Sequence, residues 1–290
     1  MRQQTRLFAF SAVFFVAAAM LIIGLIIGVA TTAPSVVGAN SSNVVARLNV
    51  TNAAPTLYAV SLNPNPVDLV PGSITQVTCT ALVYDLNGWA TISTVNSTLY
   101  DISNGYSHFT PDDRNHHYTN SSCSPCTSLG PNNASCSCSF FVEYFANNAT
   151  WGCNITITDA NFTEHMTNTT KINTVLAIGT PPEIDYGDLV SPSYSAERTL
   201  DIMNYGNLPI NITVRGYGGS DEATGENKSM LCQMGSISVG WMRYSLSQGQ
   251  DFSDMFNLSS RDMPISSLTL RVRTNDSNQE YGQDINSTYW

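Results

Sequence analysis

From Thr56 to Ile178, apolar and polar residues alternate in short runs, each ending at a cluster of Pro, Gly or Asn. Val77, Cys79, Ala81 and Val83 share one phase of QVTCTALVYD. Around NSTLYD, Val95 and Leu99 share a phase, with Asn96 on the other. In TWGCNITITD, Trp151, Cys153, Ile155 and Ile157 fall on one face, and Asn154, Thr156 and Thr158 on the opposite one, directed to solvent. A period of two predicts half-buried antiparallel strands, because successive side chains of a strand point to opposite faces. TLYAVSL, SFFVEYF and KINTVLAI extend the series to about seven strands without an amphipathic helix between them, a sandwich count.

The alternation breaks at Gly179-Thr180-Pro181-Pro182, where two prolines cannot continue a ladder, and a domain boundary is expected there. It resumes in RTLDIMN, in LPINITVRG with Ile210, Ile212 and Val214 inward, in SISVGWMRYSL, and in SLTLRVRTND with Leu268, Leu270 and Val272 inward. The terminal NSTYW reads as the opening of another strand, so a truncated second domain is one expectation. The fold class expected is all-β: two tandem antiparallel sandwiches, residues 55–180 and 181–290, preceded by a linker over 40–54 and an N-terminal hydrophobic helix within 1–39.

That N-terminal stretch changes the picture from fold to compartment. Arg2 and Arg6 precede 24 uncharged residues, Leu7 to Ala30, and the next charge is Arg47. As a helix the run would span ~36 Å, enough to cross a bilayer. Positive residues stay on the cytoplasmic side, so an anchor would leave the N-terminus inside and the C-terminus outside. Val37-Gly38-Ala39 offers a signal-peptidase site before Asn40, and cleavage and retention both stay open.

Composition then narrows the partners. Lys and Arg number 12 against 22 Asp and Glu, a net charge of -10, and charged residues make up 12% of the chain. No basic patch exists to neutralise phosphates, which excludes nucleic acid as a partner. In place of charge stand 27 Asn and 62 Ser plus Thr. Asn-x-Ser/Thr acceptors begin at Asn40, Asn49, Asn96, Asn120, Asn133, Asn148, Asn154, Asn161, Asn168, Asn211, Asn227, Asn257, Asn275 and Asn286. Composition alone would give about 6, so an exported glycoprotein modified at several sites is expected, with Asn96, Asn154 and Asn211 on solvent-facing strand phases.

Seven cysteines are an odd number. Cys123, Cys126, Cys136 and Cys138 lie within 16 residues beside His116 and His117. Four thiolates could close a zinc site, but Cys-x-Cys spacing suits a zinc knuckle poorly and exported proteins oxidise their thiols, so disulfides and no metal are expected. Residue-number sums in a hairpin stay nearly constant: Cys123 with Cys138 gives 261 and Cys126 with Cys136 gives 262, so these bridges are expected to nest. A redox centre at Cys123-Ser-Pro-Cys126 would need a helix N-terminus that the sequence does not provide. His108, His116, His117 and His165 read as solvated loop residues. Asp112-Asp113 and Asp221-Glu222 read as isolated surface acids rather than calcium ligands. No nucleophile elbow or phosphate loop occurs, so neither an enzyme nor a cofactor is expected. Aromatic residues, Trp151 and Trp241 among them, could line a sugar-binding face, although sandwich aromatics are more often core.

Cys79 in the second strand, Trp89 ten residues on, and Cys153 with Trp151 two before it resemble an immunoglobulin-like domain. The resemblance implies a Cys79–Cys153 bridge between sheets and an aromatic corner at Trp151, where Trp stands for the usual Tyr; Trp89 lies in an Asn-Gly-Trp turn rather than within a strand. The inward phase of both cysteines agrees with that pairing. Cys232 is then unpaired, as a free thiol, an intermolecular bridge or the partner of a cysteine beyond the chain given. The stretch IMNYGNLPINITVRG, with Asn204, Gly206 and Asn207 between two strands, is similar to the turn of CARDB/NEW3-like sandwich domains of archaeal and bacterial surface proteins. The resemblance implies an archaeal-type cell-surface or secreted protein with a structural, adhesive or binding role. Its partners would be other envelope proteins or glycans, and the membrane through residues 7–30 if they are retained. A carbohydrate-active enzyme or its binding module is the alternative.

Overall fold

The computed structural model describes residues 51–123, 126–216, 230–231, 235–274 and 280–290. The expected N-terminal helix, Cys232, the Asp221-Glu222 pair and the acceptors Asn40, Asn49, Asn227 and Asn275 lie outside the described residues. Among those described, the fold is all-β with antiparallel sheets, and no helix is long and apolar enough to cross a membrane.

Eight strands build the first region: β1 (Thr56–Asn63), β2 (Ile74–Tyr84), β3 (Thr94–Asp101), β4 (His117–Asn120), β5 (Thr127–Ser128), β6 (Asn133–Glu143), β7 (Thr150–Thr158) and β8 (Thr163–Lys171). One sheet runs β1-β2-β6-β5 and the other β4-β3-β7-β8, the two-sheet order of an immunoglobulin-like sandwich. The inward phase decides the core. Val77, Cys79, Ala81 and Val83 of β2 meet Leu99 of β3, Cys136, Cys138, Phe140 and Val142 of β6, and Trp151, Cys153, Ile155 and Ile157 of β7, all buried.

One strand assignment shifts. KINTVLAI is not the closing strand; β8 precedes it and is almost entirely polar. An edge strand needs only backbone pairing to its neighbour, here β7 along its whole length, so no apolar alternation marks it. Ile172 just after β8 does bury, and makes a parallel bridge to Val67, with Val67 N–H donating to Lys171 O at 2.8 Å and Asn173 N–H to Val67 O at 2.9 Å. Trp89 sits in a 3-10 turn, Trp89–Thr91, and the core place beside Cys153 belongs to its cross-strand partner Leu99.

The second region contains β9 (Ile178–Gly179), β10 (Thr199–Asn204), β11 (Ile210–Val214), β12 (Met230–Leu231), β13 (Ser236–Ile237), β14 (Arg243–Tyr244), β15 (Phe256–Asn257), β16 (Met263–Leu270) and β17 (Ile285–Tyr289). β10 carries β17 on one side and β9 on the other; β11 pairs with β16 and β14 with β15. The terminal residues NSTYW do lie in a strand, as their alternation predicts: β17 pairs with β10, Thr199 opposite Tyr289. Ile202, Ile212, Val239, Tyr244, Leu258, Ile265, Leu268 and Leu270 form its buried centre.

Asparagine amides join the two regions. Asn207 Nδ2 donates to the carbonyls of Ala146 and Asn173, both at 3.0 Å, while its Oδ1 accepts from Val175 N–H at 2.7 Å. Asn204 Oδ1 accepts from Gly206 N–H, and its Nδ2 donates to Leu208 and Arg271 carbonyls. A Cβ on Gly206 would stand 2.2 Å from Val175 O, which explains glycine there on contact grounds. The Asn204/Gly206/Asn207 turn is therefore the clamp on the segment leaving the first sandwich.

Candidate binding surfaces

The six cysteines among the described residues are joined in three bridges. Cys79 and Cys153 lie on strands of opposite sheets, fully buried, with Cα atoms 6.6 Å apart. Cys123–Cys138 and Cys126–Cys136 nest at Cα separations of 4.6 and 4.1 Å. Cys136 and Cys138 lie on β6 and face the core, so the staple fastens the polar 121–132 loop to the sandwich instead of standing apart in it. Paired thiols cannot form the four-thiolate zinc site, and among the described residues no group of His, Cys, Asp or Glu is placed to hold a metal ion. Trp151 completes the bridge's surroundings. It is fully buried, and its Nε1–H donates to Asn147 O at 2.8 Å, four residues upstream, the bond a Tyr hydroxyl makes in the usual corner.

The outer face of the β4-β3-β7-β8 sheet departs from expectation. Its loop 102–116 brings the His108 ring to 6.1 Å from that of His165 on β8, while Tyr100 and His117, opposed across β3 and β4, stack at 6.1 Å. His117 is not solvated: it lies on β4, fully buried, with Nδ1 at 2.7 Å from Asp112 Oδ1. His116 Nδ1 is 2.9 Å from Asp113 Oδ2, and its ring stacks on Tyr106 at 4.4 Å. Asp112 and Asp113 are therefore not isolated acids; they fasten this loop to β4, as Asp112 also accepts from Thr119 N–H and Oγ1–H. Burial, then the charges of Asp113 and Asp101, push the Tyr106 hydroxyl above its ordinary range. Burial likewise pushes Tyr118 up; its hydroxyl donates to Arg114 O and accepts from Glu143 N–H. No sequence signal reported the His117–Asp112 pair, because alternation in HHYTN leaves open which phase is inward.

Asn154 is corrected by the same face. It is 2% exposed, its Nδ2 donates to Thr167 Oγ1 at 2.9 Å, and its Oδ1 accepts from Thr156 Oγ1. On a middle strand, neighbours on both sides close over the polar phase. By contrast Asn96, Asn161, Asn168, Asn211 and Asn257 are exposed, and Asn120, Asn133, Asn148 and Asn286 are half-buried. Asn120 Nδ2 donates to Ser139 O and Asn168 Nδ2 to Val60 O.

Two cavities among the described residues bear on binding. One, of 380 Å³, opens where the regions meet, floored by Phe145 and edged by Asp113, Asn115, His116 and Asn207. Asn115 Nδ2 spans that junction, donating to Phe145 O and to Arg273 O. The other, of 440 Å³, lies wholly in the second region between Tyr194, Trp241, Arg243, Asp251, Phe252 and Ser253. Trp241 was singled out by sequence, but Tyr194 and Phe252 carry no local pattern that would assign them to it. No protein-family model matches the chain, and no curated protein matches its sequence.

Proposed function

We propose that the chain is an exported glycoprotein of the cell surface or the extracellular space, with a structural, adhesive or binding role and no catalytic one. The observation that carries this reading is the set of three cysteine bridges, one sealed between two sheets. Such bridges persist in oxidising compartments. The positively flanked apolar run over residues 7–30 supplies a route to that compartment, as a cleaved signal or a retained anchor. Acceptors on exposed strands and loops, Asn96, Asn161, Asn168, Asn211 and Asn257 among them, support glycosylation. The immunoglobulin-like strand order and the Asn204-x-Gly206-Asn207 turn support kinship with CARDB/NEW3-like archaeal surface domains, whose partners would be envelope proteins or glycans.

Intact-mass measurement of the secreted chain, reduced and non-reduced, before and after deglycosylation, tests the reading. It should give a mass loss on deglycosylation and three bridges. A glycan-free chain with titratable thiols throughout overturns it. The second reading, a carbohydrate-active enzyme or its binding module, is favoured by the aromatic cavity at Tyr194, Trp241 and Phe252. Turnover on a glycan or peptide panel would put it first.

A further inference from the structure

The 440 Å³ cavity of the second region is assembled with unusual care for a surface feature. Tyr194 and Phe252 stack with ring centroids 4.4 Å apart and planes 23° from parallel. The Arg243 guanidinium lies 4.4 Å over the same Phe252 ring, and its Nη1–H donates to Phe252 O at 2.6 Å. Each contact fixes a side chain that could otherwise turn, so the cavity is pre-organised. Yet Trp241 remains 64% exposed and Tyr194 71% exposed, and Arg243 Nε is buried without a hydrogen-bond partner among the described residues. Flat aromatic faces beside a charged hydrogen-bonding rim fit a pyranose ring, whose C–H face stacks on the aromatics while its hydroxyls meet Arg243 and Asp251.

The strand register says where such a ring would come from. In the β14/β15 ladder, Arg243 stands directly opposite Asn257, and Tyr244 opposite Phe256. Directly opposed side chains share a face, with Cβ atoms ~4.5–5.5 Å apart. Their direct opposition puts Arg243, half-buried, and Asn257, exposed, on one face of this short ladder. Asn257 is exposed and heads Asn257-Leu258-Ser259, a glycan acceptor. We propose that the cavity is the seat of a glycan linked to Asn257, whose first sugar rings fold back across Arg243 onto Trp241 and Tyr194. The proposal rests on the glycoprotein reading and extends it by giving one glycan a fixed position and a structural task.

The test is hydroxyl-radical footprinting of the full chain, secreted from an N-glycosylating host, with glycopeptide mapping of each acceptor. A short tether gives a millimolar effective concentration, matched to weak ring stacking, so labelling of Trp241 and Tyr194 should rise ~2–4-fold on glycan removal. Asn257→Gln should raise it equally, and so should Ser259→Ala, which keeps the asparagine but removes the acceptor. In Asn257→Gln and Ser259→Ala, labelling of the exposed Phe162 in the first region should not change. Equal labelling with Asn257 occupied overturns the proposal. So does an unoccupied Asn257 with other acceptors occupied, which leaves the glycoprotein reading standing; absence of glycan from every acceptor overturns both. Protection of Trp241 in Asn257→Gln by added N,N′-diacetylchitobiose, with none from the attached glycan, overturns the tethered occupant in favour of a glycan from another molecule.

Discussion

The two regions solve the same problem with different means. Among the described residues, the first gathers 21 buried side chains into one core around a bridge, on strands of up to 11 residues. The second gathers 8, five of them on β10, β11 and β16, strands of up to 8 residues. Apolar burial is the main favourable term in folding, at ~25 cal/mol per Å². The second region's smaller core therefore makes its attachment to the first, through Asn207 and the β9 segment, a larger share of what holds it. The contrast teaches that a charge-poor, hydroxyl-rich chain can be held either from within, by a sealed core, or at its border, by satisfied amides.

Breaking the bridge should have the largest effect and fall on the first region. Replacing Cys79 and Cys153 together with Ala should cost ~2–5 kcal/mol, read as a shift of the urea midpoint, with the nested pairs intact. Asn207→Ala should come next, at ~1–3 kcal/mol, because the buried carbonyl of Ala146 and the half-buried one of Asn173 lose their donor. Hydrogen exchange should then rise more in β10 and β17 than in β2 and β7; a uniform rise would erase the distinction drawn here. Occupancy mapping should find Asn154 unmodified while Asn161 and Asn211 carry glycan, since only the buried amide is enclosed.

The smallest effect concerns Asp159, in the turn between β7 and β8. Burial pushes its carboxyl up, but the N–H groups of Asn161 and Phe162 and the amide of Asn52 outweigh this and hold it below its ordinary range. A depressed carboxyl contributes stability that is present above its unfolded value, about 4, and is lost as pH falls through the folded value. Asp159→Asn should therefore lower the midpoint slightly at neutral pH and leave it little changed at the acid end, which flattens the midpoint-against-pH curve between them.

How much of this was readable in the sequence follows the same division. β2, β3 and β7 each bury one face along most of their length, so period two exposed them, and the phase of Cys79 and Cys153 pointed to their pairing. β8 has no such face, and its partner is found only through the backbone of β7. In the second region, Asn204, Gly206 and Asn207 stood out as a motif, but their partners Ala146, Asn173 and Val175 lie about 30 to 60 residues away, beyond any local pattern. The aromatic cavity was unreadable for the same reason: Tyr194 and Phe252 are neighbours only after folding. The turn back to Asp112 that buries His117 was likewise hidden, because a polar loop gives no sign of which of its residues will be covered.

The parallel bridge between Val67 and Ile172 acquires meaning when the chain is pulled. Tension applied through the N-terminal side of Val67 and the C-terminal side of Ile172 runs along both segments in opposing directions. The bonds Val67 N–H to Lys171 O and Asn173 N–H to Val67 O are then loaded in shear and must break together rather than unzip one by one. Should they give way, the Cys79–Cys153 link stops extension, because the 74 residues it spans cannot lengthen. At ~3.4 Å per residue, ~250 Å of chain stays out of reach of the force. Under such a load, only the short segments from Val67 to Cys79 and from Cys153 to Ile172 would be left to extend.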